Sequence, residues 1–297
     1  MAGGGRASKY VTGLLPLLDQ ANQGRYHLRE TKKSGDAIKL ARTAVEEGCQ
    51  VIIVMGGDGT INEVINGMMQ RRPDSRSDCE LGIIDCGSGS DLVRSLDLPQ
   101  KREDQLKLIL HKKSRPIDLG FVQYQGIDGL SRERYFVNEC SIGISGSVIE
   151  AMTTRLKQRH GPLAFALASI HQLFTYHAAA AQVHFDNQEK EIKKVLGIVI
   201  ANGKYAGGGM KLAPDANLQD GLLDVLSMAD MNLVNRLITF SKIYRGNHIH
   251  SKYANYRRAT TIGVKSNQPL RVETDGELVG HAPCQVNVLP GVLRLRY

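Results

Sequence analysis

A short apolar, β-branched run from Gln50 to Met55 ends in Gly56-Gly57-Asp58-Gly59-Thr60, and Ile61, Val64, Ile65, Met68 and Met69 follow it. The run suits a fully buried strand, and the i, i+3, i+4, i+7, i+8 spacing behind it is that of an amphipathic helix. The same order recurs directly afterwards. Leu81 to Ile84 reads as a strand, Cys86-Gly87-Ser88-Gly89-Ser90 as a loop, and a helix opens near Ser90 or Asp91 and stops before Pro99. Strand, glycine loop and helix repeated in this way build a parallel sheet covered by helices on both faces. In such a sheet the carboxyl ends of neighbouring strands form the ligand crevice, so both loops can serve one site. The N-terminal part is therefore expected to be a doubly wound, Rossmann-like three-layer α/β domain.

From about Pro116 the texture changes to short β-branched and aromatic runs: Ile117 to Tyr124, Tyr135 to Ile144, Val183 to Phe185 and Val195 to Ala201. Glycine and Asp-Asn turns separate them, which predicts an antiparallel β-rich sandwich. Helical patterns interrupt it around 147–157, 162–177 and 231–244, and strands around 260–266, 270–275 and 284–297 close it. The expected division is 1–115 for a nucleotide domain and 116–297 for a β-rich substrate domain, with the last strands returning to the first.

Composition removes several classes. The longest nearly apolar stretch, Pro162 to Phe174, contains His171 and is far shorter than the roughly 20 residues of a membrane-spanning helix. No signal-peptide pattern opens the chain, so a cytoplasmic protein is expected. The five cysteines are widely spaced and form no C-x-x-C pair, against zinc or dithiol chemistry. A net charge of +8 favours an anionic partner. With 5% aromatic residues, no tryptophan and no recognised binding motif, nucleic acid is not the expected one. Oligomeric state is left open by the sequence.

Gly56-Gly57-Asp58-Gly59-Thr60 matches neither G-x-x-x-x-G-K-[ST] nor G-x-G-x-x-G. Its glycines can still bring backbone N–H groups up to phosphate oxygens, with the positive end of the next helix behind them. Asp58 can hold Mg²⁺ or orient phosphates, and Thr60 can cap the helix or bond a phosphate. Asn62 and Glu63 fall on the polar side of that helix, where a solvated surface is an equally good reading. Ser34 or Asp36 is a plain N-cap candidate, and Tyr26-His27-Leu28 reads as the strand before it.

The run from Val51 to Glu63 resembles the nucleotide loop of the diacylglycerol kinase catalytic-domain family, which includes bacterial lipid kinases and sphingosine kinases. Its Gly-Gly-Asp-Gly core also occurs in NAD kinases, whose fold the first domain would share. Gly87-Ser88-Gly89-Ser90-Asp91-Leu92 with Arg94 is similar to the family's second loop, with Ser90 where asparagine is usual. Asn202 to Gly209 and Pro214 to Asp224 resemble two further family segments, and Thr274-Asp275-Gly276-Glu277 resembles its Asp-Gly-Glu motif.

The resemblance implies an ATP- and Mg²⁺-dependent lipid kinase. Its nucleotide contacts would be Thr31, Gly56, Gly57, Asp58, Gly59, Thr60, Ile61, Asn62, Glu63, Ser88 and Asp91. It implies Glu277 and Asp58 as catalytic residues, Glu277 being the base that accepts the proton of the attacking hydroxyl. A structural Mg²⁺ would map onto Asp220 and the carbonyls of Asn217 and Leu222, an oxygen-only set that suits a hard cation. The acceptor would be a lipid hydroxyl, diacylglycerol or a related alcohol, reached from an anionic membrane surface. The basic run Arg155 to His160 beside the apolar 162–174 stretch is the expected docking element. NAD kinase and a silent basic binding protein are the competing readings. The family's first strand has no counterpart ahead of Gly3-Gly4-Gly5, so the sheet is expected to lack it.

Overall fold

In the computed structural model the described residues are 6–22, 25–70, 79–152, 154–186 and 188–297. The glycines at 3–5 lie outside them, and so do the side chains of the basic run 155–160. The chain forms two compact units, residues 1–117 with 291–297 and residues 118–290.

In the first unit, α1 (Arg6–Asn22) and α2 (Asp36–Glu46) precede β1 (Val51–Gly56), α3 (Asp58–Met69), β2 (Glu80–Asp85), α4 (Asp91–Ser95) and α5 (Arg102–His111). β1 and β2 are parallel, with Val51 opposite Glu80 and Gly56 opposite Asp85. The end of the last strand adds a third parallel member, Leu295 opposite Leu81. Side chains alternate across this sheet, so its two faces are clothed separately. Leu14 of α1 and Leu106 and Ile109 of α5 pack with Ile53, Met55 and Ile84. α3 covers β1 with α2 against it, giving three layers. Gly67 permits the α2–α3 approach, since a Cβ there would sit 2.3 Å from the Ile38 carbonyl oxygen. Tyr26-His27-Leu28 is not the expected strand: no described strand pairs with it, and Leu28 is exposed. α5 carried no expectation, although its Glu103 and Asp104 complement the dipole of its first turn.

The second unit is antiparallel. Its strands are β3 (Ser114–Gln125, entered from the first unit), β4 (Ser131–Phe136), β5 (Glu139–Gly143), β6 (Ala179–Phe185), β7 (Gln188–Ala201), β8 (Leu223–Ala229), β9 (Ala254–Ala259), β10 (Thr261–Lys265), β11 (Arg271–Thr274) and β12 (Glu277–Arg296). The ladder runs β12-β10-β6-β7-β5-β11, and β11 pairs again with β12, so the path returns to its start. Such closure leaves the strands of the ring paired on both sides, while β4 and β9, each with one partner, lie outside it. Inside it lies an apolar core that includes Phe136, Val183, Ile198, Val225, Val272 and Val286.

Three helices, α6 (Ile144–Ala151), α7 (Thr154–Thr175) and α8 (Leu233–Ile243), accompany the sheet. The helical runs expected at 147–157 and 162–177 are shifted because Gly143, at φ 103°, starts α6 early and Met152, at ψ 96°, breaks the chain. The single strand expected over 135–144 is split in two. The N–H groups of Val137, Asn138 and Glu139 donate to the Asp275 carboxylate at 2.9–3.0 Å, and Val137 and Asn138 stand outside the ladder. β9 was missed because Ala254-Asn255-Tyr256-Arg257-Arg258-Ala259 lacks an apolar run.

Candidate active-site residues

In the first unit the two glycine loops are pressed together. A Cβ on Gly87 would sit 2.7 Å from Gly57 Cα, and one on Gly57 would sit 2.9 Å from Gly87 Cα. Both are therefore packing glycines. Gly56 is a third, because Thr60 Cβ occupies the space its own Cβ would need. Gly59 differs: it is exposed and nothing lies within 4 Å of a Cβ built on it. Glycine there leaves backbone open to an incoming anion at the start of a helix.

Thr60 does not cap α3. Gly57 is the N-cap, and the N–H groups of Thr60 and Ile61 both turn back to its carbonyl, at 2.9 and 3.0 Å. The Asp58 carboxylate crosses to the second loop, where its Oδ1 accepts the Asp91 and Leu92 N–H groups at 3.1 and 3.2 Å. It thereby caps α4, although Ser90 holds the N-cap position. Ser90 stands in the left-handed region at φ 56° and makes no cap bond; its hydroxyl donates to Asp85 instead. Asp85 also accepts the Gly87 N–H at 2.8 Å, so one carboxylate shapes the whole loop. Burial raises the pKa of Asp58 above its ordinary value; the Leu92 and Asp91 N–H groups oppose that, and Asp85 adds to it.

Asn62 and Glu63 are not on a solvated surface. Asn62 is 1% exposed and Glu63 8%, and Ile61 beside them belongs to the core. The Glu63 carboxylate accepts from Ser34 Oγ at 3.0 Å, Gly35 N at 2.8 Å and Ala37 N at 3.2 Å. It does for α2 what Asp58 does for α4. The N-cap of α2 is Gly35 rather than Ser34 or Asp36, and Asp36 folds back to accept the Lys32 and Lys33 N–H groups at 2.9 and 3.0 Å. That clasp fixes the coil carrying the half-buried Thr31. Ser88 is exposed and Asp91 is buried.

In the second unit, two of the motif segments converge on Val137-Asn138-Glu139, and a third is tied to Asp118. Asp275 holds this stretch through the three bonds above. Asn202 Nδ2 donates to the Val137 and Asp118 carbonyls, each at 2.9 Å. Asp118 in turn accepts the Gly221 N–H at 2.7 Å and donates its own N–H to the Leu218 carbonyl at 2.7 Å. Glu277 follows the tight Asp275-Gly276 turn, both residues at positive φ, and its Oε2 meets Arg134 Nη2 at 2.6 Å. Arg134 was not singled out from sequence, and Asp275 and Asn202 stood there only as members of motif segments, since each acts on a partner more than 60 residues away.

The loop from Asn217 to Leu222 presents an all-oxygen donor set. Asp220 Oδ1 accepts the Leu222 N–H at 3.1 Å, and Oδ2 lies 3.7 Å from Arg258. Nearby Asp224 is 1% exposed, and its Oδ2 has no hydrogen-bond partner. Burial raises the Asp224 pKa, against the Tyr256 hydroxyl and Arg258. Carboxylate and carbonyl oxygens are the donors a hard divalent cation takes, while Arg258, 3.7 Å from Asp220 and 3.3 Å from Asp224 Oδ1, supplies positive charge to both carboxylates.

Residues 1–122 match the diacylglycerol kinase catalytic domain, and residues 138–297 match the YegS C-terminal NAD kinase beta sandwich-like domain. A diacylglycerol kinase of Bacillus subtilis (strain 168) is 30% identical over 280 residues, which is 93% of this chain and 86% of that one. A Chromohalobacter salexigens protein named "Probable lipid kinase YegS-like" is 29% identical over 278 residues, again 93% of this chain and 86% of its own. A crystal structure of a diacylglycerol kinase from Bacillus anthracis str. Sterne superposes with a TM-score of 0.73 at 25% identity, covering 100% of this chain and 93% of that one. With both halves matched and the B. subtilis identity extending over 93% of its length, the chain belongs to the diacylglycerol kinase catalytic-domain family of lipid kinases.

Proposed function

We propose that this lipid kinase transfers the γ-phosphoryl group of ATP to the hydroxyl of diacylglycerol or a related lipid. The observation that carries the reading is the fused pair of glycine loops: Gly57 against Gly87, Asp58 tying the second loop to the first, and Gly59 left open at the start of α3. Phosphoryl transfer depends mainly on positioning and charge neutralisation, which preformed N–H groups and a helix start supply. Gly59, Thr60 and Ser88 are the residues of this pair open to phosphate oxygens, with Thr31 on the clasped coil beside α2. Ile61, Asn62 and Glu63 serve as scaffold, because their side chains are committed to the core and to α2.

Glu277 is the base in this reading. Arg134 and the Asp275 turn orient its carboxylate, which takes the proton of the lipid hydroxyl as the phosphorus–oxygen bond forms. Asp220 with the Asn217 and Leu222 carbonyls would hold Mg²⁺, whose charge braces the loop fastened to Asp118. A cation that serves ATP would neutralise phosphate charge.

The acceptor reaches the protein from an anionic bilayer. No described helix is long and apolar enough to cross a membrane. Helices α7 and α8 contain no acidic residue and are joined by Arg236 Nη1, which donates to the Leu173 and Tyr176 carbonyls at 2.8 and 3.1 Å. They expose Leu167, Ile170, Phe174, Val234, Leu237 and Ile238. An apolar, acid-free helical face is the type that lies in a headgroup interface.

The test is transfer of labelled phosphate from ATP and Mg²⁺ to diacylglycerol, phosphatidylglycerol, a sphingoid base and NAD, each lipid offered in anionic vesicles. Label in one lipid supports the reading and names the acceptor. Label in NAD alone, or in nothing, overturns it in favour of a nucleotide kinase or a silent binder.

A further inference from the structure

β5 and β11 run antiparallel, with Glu273 opposite Ser141 and Thr274 opposite Cys140. Glu139 lies two residues before Ser141 and therefore on the same face. Two carboxyls meet there in the interior, Glu139 at 3% and Glu273 at 4% exposure. Ser141 Oγ donates to Glu139 Oε2 at 2.5 Å, and Glu273 lies directly opposite Ser141, so the two buried carboxyls are neighbours on one face. Glu273 Oε2 accepts the Gly276 N–H at 3.0 Å. The Asp275 N–H donates to the Glu139 carbonyl at 3.0 Å. Each end of the turn that carries Glu277 is thus fastened to one member of the pair.

Two neighbouring carboxyls withdrawn from water are costly to hold as two anions, and a proton between them removes the repulsion. The ionisable groups around the pair are Asp275 on the turn, Cys140 on β5, Cys284 on β12 and, two residues before Glu273, Arg271. The Arg271 guanidinium is paired with Glu150 of α6 at 2.5 Å rather than with either carboxyl of the pair.

We infer that Glu139 and Glu273 share one proton and act as a positioning device, holding the Asp275-Gly276 turn so that Glu277 is presented in one orientation. The inference rests on the reading of Glu277 as the base. With the proton in place, Glu273 turns an oxygen to Gly276; without it, two like charges on adjacent buried strands push apart and release the turn. Burial and, for Glu139, the Glu273 charge hold these carboxyls above the usual carboxylate range. A raised pKa means the contribution is complete in acid and is lost as pH climbs through the raised value, so the turn loosens on the alkaline side.

The experiment measures kcat and the ATP KM for lipid phosphorylation from about pH 6 to about pH 9, beside the amide exchange rate of Gly276 corrected for intrinsic base catalysis. Glu139→Gln is the informative variant, because its amide donates to Glu273 without a titrating proton. The native chain is expected to lose about tenfold in kcat across the alkaline limb, while Glu139→Gln stays within about threefold, the scale on which small misplacements act. The ATP KM moves in neither. Gly276 protection falls with pH in the native chain and stays level in the variant. Glu273→Gln, whose carbonyl still accepts from Gly276, takes its place should Glu139→Gln fail to fold.

The same alkaline limb in native and variant chains, or Gly276 protection that does not change with pH, overturns the inference. Glu277→Gln separates the two layers. Full activity in that variant removes the base reading, and the exchange data still decide whether the pair holds the turn.

Discussion

The two regions carrying the motif residues are built on different physics. In the first unit the approach of the two loops is set by what is absent, a Cβ on Gly57 or Gly87, while the Asp58, Glu63 and Asp85 carboxylates cap the helices and brace the loop around that contact. In the second unit the geometry is set by carboxyl groups withdrawn from water, where Asp275 collects three backbone N–H groups and Glu139 and Glu273 are buried neighbours on one face. A steric device is indifferent to pH. A buried carboxyl device is not, and the base candidate sits on the second kind.

This comparison can be broken by substitution. Asp275→Ala strands the N–H groups of Val137, Asn138 and Glu139, and leaving partly buried donors of a charged acceptor unsatisfied costs on the order of 3 kcal/mol or more. Denaturant unfolding should show that loss together with a collapse of lipid phosphorylation, and an unchanged midpoint would deny the clamp. Gly87→Ala forces a Cβ within 2.7 Å of Gly57 Cα, and overpacking of this kind costs about 1–3 kcal/mol. Its penalty should be the same at acid and alkaline pH, with ATP affinity falling alongside; a strongly pH-dependent penalty would erase the contrast.

The smallest effect has the opposite sign. Ser90 holds φ 56°, a region that asparagine tolerates better than serine, so Ser90→Asn should raise stability by up to about 1 kcal/mol. No change, or a loss, in thermal midpoint would mean that the Ser90–Asp85 bond outweighs the backbone strain.

The parts legible in the sequence were those with local signatures. The strand, glycine loop and helix order around Gly56 and again around Gly87 follows from periodicity and turn chemistry within a dozen residues. The antiparallel texture of the second half was legible for the same reason. What stayed hidden acts across long separations. Glu63 looks like solvated helix surface until α2 lies against it, and Ser90 looks like a cap until Asp58 arrives from the other loop. Glu139 and Glu273 sit in strand-forming runs where a single acid reads as a solvent-facing residue; only the β5–β11 register makes them a buried pair. The run 135–144 reads as one strand because nothing local announces that Asp275 will claim three of its N–H groups.

The most direct test of the central claim, that Glu277 is the base of a lipid kinase, is steady-state transfer from ATP to diacylglycerol vesicles by Glu277→Gln. The account predicts that kcat falls by about 10²–10⁴, the usual worth of a general base, with the ATP KM unchanged. A variant that keeps its kcat, or one that loses activity through a raised ATP KM, would contradict it.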